Sequence, residues 1–194
     1  MGEERPLIPY AVQKGNRPKI EVVLENCLHG ELQGAALDFA AYMQERKMPF
    51  RLYSSSTRTQ RAVYKGAPIC NIIVYNEEDW RHVDRHQPGD APYWTLAPNL
   101  VHMSAYEDVI RDEGLQLDFN GVIYYCVHGS HKDRKGACGP DKPCAGGRDM
   151  RVFGSEYHGV CRWIWPSIRN PNGKTVAVIK RLLALECMTR ESNN

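Results

Sequence analysis

Between Val127 and Met150 the chain carries no large apolar side chain, and five glycines (Gly129, Gly136, Gly139, Gly146 and Gly147) punctuate the stretch. Ordering a residue costs on the order of 1–2 kcal/mol of backbone entropy, which burial normally offsets. This stretch has nothing to bury. The core must therefore come from the flanking sequence, and the segment needs another source of order.

Cysteine offers that source. The chain has seven cysteines, and its start, Met1-Gly-Glu-Glu-Arg-Pro6, lacks the apolar stretch that opens a secretory signal. An odd count without a signal argues against an extracellular disulfide framework and leads us to expect a cytoplasmic protein. Apolar runs such as Val122–Val127 stop near six residues, too short to span a bilayer, so no membrane partner is expected. Cys27 and Cys187 fall on helical apolar stripes and Cys70 in a strand, where a free thiol serves as a small buried hydrophobe.

The other four cysteines, Cys126, Cys138, Cys144 and Cys161, lie in or beside the polar segment, with His128 and His131 among them. Zinc takes thiolate or imidazole ligands in a tetrahedron. The expected set is Cys126, Cys138, Cys144 and Cys161, with His128 or His131 as substitutes. Such a site would staple the two ends of the loop and supply on the order of 10 kcal/mol of folding free energy. The competing reading makes Cys126 and Cys161 core thiols facing inward from strands. No C-x2-C knuckle is present, so the spacing is irregular.

Four thiolates close a site, which makes the zinc structural; a catalytic zinc keeps a water position. A hydrolase-like, metal-dependent enzyme would need a His-containing three-ligand site plus an acid or base, for which His131, Asp133 and Glu156 are the nominal groups. Neither H-E-x-x-H nor the H-x-E with P-C-x-x-C pattern of zinc deaminases occurs. The nucleophile elbow, the P-loop and the dinucleotide fingerprint are also missing. The reading leans away from an enzyme.

Apolar spacing sets the architecture. Residues 1–16 have no period and form an irregular arm. Ile20, Val23, Leu24 and Cys27 recur at helical spacing, with Pro18 suited to a first turn. A second stripe, Leu32, Ala35, Ala36, Phe39, Ala40 and Met43, is expected to end at Met48-Pro49. Arg51–Ser56 and Arg61–Tyr75 read as strands, the latter folded into a hairpin at Lys65-Gly66. Residues 76–103 look like a long loop holding one short strand, and Ser104-x-x-Glu107 fits a capping box whose helix stops at Gly114. Gly121–Val127, Met150–Phe153 and Val160–Trp165 read as strands. Asn170-Pro171 opens a closing helix with Val176, Ile179, Leu182 and Leu183 on one face, and residues 188–194 are expected to fray. The sum is an α+β fold, mostly antiparallel, with helices on one face of the sheet and a cysteine- and histidine-rich, zinc-stapled loop. It forms a single domain over 17–187, with a helical and hairpin half at 17–103 and a metal-loop half at 104–187.

Charge points to binding. The formal net charge is only +2, too mild to imply a polyanionic partner from the total. The distribution is sharper: Arg51, Arg58, Arg61 and Lys65 follow one another with no intervening acid, beside Tyr53 and Tyr64. The polar loop adds Lys132, Arg134 and Lys135. Cations with interleaved aromatic rings are the general recipe for single-stranded nucleic acid. Trp80 and Trp94 could instead line a pocket for a peptide or small molecule.

Tyr64-Lys-Gly-Ala-Pro-Ile-Cys70, Tyr125-Cys-Val-His128, Val152-Phe-Gly-Ser-Glu-Tyr157 with Val160-Cys161, and Asn170-Pro-Asn172 together resemble a family of small bacterial proteins with a C-terminal cysteine-rich loop. The resemblance spans about residues 30–185. It implies the architecture and the cysteine cluster and brings no activity with it. The sequence departs from that pattern at His128-Gly129, where the family has a second cysteine, and in an insertion over 131–142 that carries Cys138. The expectation is therefore a non-enzymatic binding module stabilised by structural zinc. The alternatives are the open-site enzyme and RNA or single-stranded DNA binding through the basic loop.

Overall fold

The structure is a computed structural model, and it describes residues 18–54, 59–75, 93–115, 148–152, 155–160 and 167–193. The elements in chain order are α1 (Ile20–Cys27), α2 (Gly30–Glu45), β1 (Arg51–Ser54), β2 (Thr59–Tyr64), β3 (Ala67–Tyr75) and β4 (Tyr93–Pro98). A 3₁₀ turn (Met103–Tyr106) then leads into α3 (Glu107–Asp112), β5 (Arg148–Val152), β6 (Ser155–Val160), β7 (Ile168–Arg169) and α4 (Gly173–Ser192). The chain forms two compact units, Met1–Ala97 with Ile168–Lys180, and Pro98–Ser167 with Arg181–Asn194. The sequence division at 103/104 thus differs from this one, and α4 runs through Ser192 over the stretch expected to fray.

The first unit holds a five-stranded sheet in the order β1-β2-β3-β4-β7. β1 with β2, β2 with β3, and β4 with β7 pair antiparallel. The α+β expectation with a mostly antiparallel sheet holds. The β2–β3 turn puts Lys65 at φ 47° and Gly66 at φ 79°, and two successive left-handed residues are what a type I′ hairpin turn demands. The core is built as the periods predict. All four stripe residues of α1 are buried, as are Ala36, Phe39, Ala40 and Met43 of α2, and α1 lies against β3. Ala62, Cys70, Ile72 and Val74 of the hairpin join this core, with Trp94 and Leu96 of β4 and Val176 and Ile179 of α4. Pro18 falls one residue before the Lys19 N-cap of α1, outside the first turn.

Two capping expectations need correction. Asn172, not Asn170, caps α4: its Oδ1 accepts from the Thr175 backbone N–H at 3.0 Å and from the Thr175 hydroxyl at 3.1 Å. Asn170 sits at φ 44° and exchanges bonds with β4, its Oδ1 accepting from the Trp94 N–H at 3.0 Å and its own N–H donating to the Trp94 carbonyl at 2.8 Å. Ser104 caps nothing, because it lies inside the 3₁₀ turn and α3 opens from Tyr106. Gly114 does end α3: at φ 62° its N–H donates to the Arg111 carbonyl, and Leu115 N–H reaches the Ile110 carbonyl at 2.9 Å. That pair of bonds is a Schellman motif.

The second unit contains α3, the β5–β6 hairpin, a two-stranded sheet of its own, and the C-terminal half of α4. The strand expected at Gly121–Val127, residues 161–165 of the last expected strand, and the loop 128–147 lie outside the described residues.

Candidate functional site

The end of α2 and the first two strands build one groove. α2 closes with the same two-bond pattern as α3: Lys47 N–H donates to the Gln44 carbonyl at 2.9 Å and Met48 N–H to the Met43 carbonyl at 2.8 Å. The residue in the left-handed position is Lys47, at φ 60°, where glycine is the usual occupant because a Cβ crowds the following carbonyl. Two residues on, the chain passes Pro49 and enters β1.

β1 pairs with β2 in a register that sets Arg51 opposite Arg61 and Leu52 opposite Gln60, and then slips, so that Ser54 meets Thr59. Tyr53 is the extra residue of this bulge. Bulges re-aim side chains, and here the Tyr53 ring lies under the Arg61 guanidinium, whose carbon is 3.3 Å from the ring centroid. Arg61 Nε also donates to Asn71 Oδ1 at 3.0 Å, across the β2–β3 pair. The arginine plane is thereby held in place, while Tyr53 stays 57% exposed.

Lys47, Pro49, Arg51, Leu52, Tyr53, Arg61 and Val63 line a groove of about 440 Å³. Three of the seven are cations, and no acidic side chain is among the described residues that line it. A pocket of this size falls within the range of ligand sites, roughly 300–1,000 Å³. Arrayed this way, it can attract an anion and offer a flat ring beside it.

The sequence-predicted surface is found in part. Arg61 lines the groove; Lys65 sits in the exposed hairpin turn, its ammonium 5.9 Å from the Tyr64 centroid. Trp94 is corrected: at 0% exposure it is a core residue of β4, which lies between β3 and β7, and it presents no surface to a ligand. Arg58, Trp80, Lys132, Arg134 and Lys135 lie outside the described residues, as do Cys126, Cys138, Cys144, Cys161, His128 and His131. Among the described residues no group of three or more His, Cys, Asp or Glu side chains is placed to hold a metal ion. Glu156, nominal as an acid or base, is exposed on β6 at 3.9 Å from His158. Sequence reasoning passed over Lys47, because nothing in the sequence marks a lysine as the left-handed residue after a helix.

A second polar cluster, in the other unit, was also missed. Glu186 of α4 is fully buried, and its carboxylate accepts four bonds. These come from the His102 backbone N–H (3.1 Å), His102 Nδ1 (2.8 Å), the Tyr106 hydroxyl (2.9 Å) and Arg190 Nε (2.8 Å). Arg190 also donates to the Asn99 carbonyl at 3.0 Å. A carboxylate only accepts, so in this bond His102 Nδ1 is the donor. Burial first, and then the Glu186 charge, push the Tyr106 hydroxyl far above the ordinary phenol range. The arrangement ties residues 99–106 to the last helix. Its only signal in the sequence is the Glu186–Arg190 spacing of four on one helical face.

No helix among the described residues is long and apolar enough to cross a membrane. No protein-family model, curated protein or solved structure matches the chain.

Proposed function

We propose that this chain is a non-enzymatic binding module that takes an anionic ligand in the groove between the end of α2 and the β1–β2 pair. One observation carries the reading: three departures from local preference converge on that groove. Lys47 occupies a glycine position, Arg51 and Arg61 stand directly opposite each other as like charges, and Tyr53 is bulged out of register. The first two are unfavourable locally, by a few tenths to about 2 kcal/mol, and the third re-aims a side chain. Such conflicts collect where a ligand supplies the compensating interaction. Isothermal titration with linear polyphosphate at low salt tests this. Arg51→Glu, an exposed substitution, is expected to weaken binding at least tenfold, and equal affinity in wild type and variant would overturn the reading.

The second part of the proposal is a structural zinc on Cys126, Cys138, Cys144 and Cys161 in a reducing compartment such as the cytoplasm. The support is compositional: thiolates and glycines concentrated in a segment with nothing to bury. Native mass spectrometry of protein purified without a metal-affinity tag is expected to show one zinc per chain, and a chelator to lower the melting temperature. A metal-free protein of unchanged stability would remove the zinc and leave the groove reading standing.

A further inference from the structure

Resting on the groove reading above, we infer that the ligand is a single-stranded nucleic acid, with one base stacked at Tyr53 and its flanking phosphates held by Lys47 and Arg51. The cations alone would suit any polyanion; the ring discriminates. Tyr53 is 57% exposed and lies at the edge of β1, bulged out of register, with the Arg61 guanidinium over it at 3.3 Å. Asn71 holds Arg61 by Nε, which fixes the guanidinium over the ring. An acidic peptide would satisfy the cations and leave this stack unused, since its carboxylates carry no aromatic ring to stack. A nucleobase uses both, because every base has a π-face and arginine adds a cation–π term. The groove, at about 440 Å³, admits a nucleotide unit and is too small for a duplex, whose bases are already stacked on one another.

The test compares oligonucleotides of equal charge. Fluorescence anisotropy is measured with labelled dT8, rU8 and an abasic 8-mer of the same phosphate count, at several salt concentrations. Bases are expected to tighten binding about tenfold over the abasic chain, in line with stacking of one base. Tyr53→Ala should abolish that advantage and Tyr53→Phe should keep it; Tyr53 is exposed, and circular dichroism checks that each variant is folded. Two phosphate contacts predict a slope of log K against log salt of about −1.4 for a single strand. Equal binding of abasic and base-bearing chains, with both weakened by Arg51→Glu, would overturn the nucleic-acid inference while the anion groove survives. Binding that ignores both Tyr53 and Arg51 would overturn the inference by placing the contact elsewhere. No binding by any of the three, nor by polyphosphate, would overturn both readings. A preference between dT8 and rU8 identifies which nucleic acid is bound; with the abasic comparison passed, either result supports the inference.

Discussion

Replacing Lys47 by glycine should make this protein more stable and a worse binder. In the left-handed region an L-residue costs about 1–2 kcal/mol, and Lys47 sits there at φ 60°, fixed by the two bonds that close α2. Glycine removes that cost but loses about 0.5–1 kcal/mol more in ordering the chain. The net gain is about 0.5–1 kcal/mol. For a chain of this size each kcal/mol moves the melting temperature by about 2–4 °C, so a rise of roughly 1–4 °C is expected. Urea unfolding should show a higher midpoint at unchanged slope, the sign of a true stability change. The same variant loses one cation from the groove, so the salt slope of ligand binding should flatten by about 0.7. Lys47→Ala separates the effects: it keeps the strained backbone and loses the charge, so stability should stay put while binding weakens. If Lys47→Gly is no more stable than wild type, the strain argument is wrong. If it is more stable and binds undiminished, the strain has nothing to do with the groove.

Two further expectations concern the interior. Glu186→Gln removes the charge that four donors surround and takes from the Arg190 guanidinium, 9% exposed, its opposite charge, so it should cost about 3–5 kcal/mol in urea unfolding. Replacing both partners, Glu186→Leu with Arg190→Met, should cost much less, and equal losses in the single and double variants would refute the ion-pair account. Cys70 is fully buried, and that burial raises its thiol pKa well above the ordinary 9.0. The folded state therefore keeps the proton that the unfolded chain releases: the thiol's contribution is intact below about pH 9 and is lost as pH rises beyond it. Cys70→Ala should flatten the decline of stability in that alkaline range, and an unchanged alkaline profile would show that Cys70 does not contribute to it.

The fold was most legible where one periodicity ran long enough to be read. The stripe of α1 names its buried residues and that of α2 names four of them, with Leu32 and Ala35 half-buried, and Gly66 and Gly114 announce a turn and a stop because each adopts the φ that glycine favours. β7 was missed because two residues make no period. Trp94 was misplaced for a related reason: with Pro and Asp around it, β4 gives no alternation, and only its position between β3 and β7 reveals it as core. The site was half legible. The acid-free run of cations named Arg51 and Arg61, and Tyr53 stood beside them. Register, the bulge and the Lys47 backbone were invisible, because each depends on how separate elements meet or end. The Glu186 cluster joins residues 80 and 84 apart, a distance over which a single sequence carries no pairing signal.

The two polar clusters differ in a way that decides which is the better site. Glu186 uses its charge internally: four donors at 2.8–3.1 Å saturate the carboxylate, and a saturated buried network specifies one packing arrangement and asks nothing of a ligand. Its Arg190 partner is likewise committed, to Glu186 and to the Asn99 carbonyl. The groove is the opposite case. Its cations gather on a water-facing surface, and two of them oppose each other across a strand pair without a carboxylate among the described lining residues. Substitution could relieve two of its local conflicts with no change of fold: glycine at 47 and an acid at 51. In the Glu186 cluster no single substitution gives such relief, since removing one donor leaves the buried carboxylate a bond short. A network that is already satisfied holds the protein together. Cations gathered at an open groove, by contrast, keep a field that an anion arriving from solvent can still use, which makes the groove the better candidate of the two.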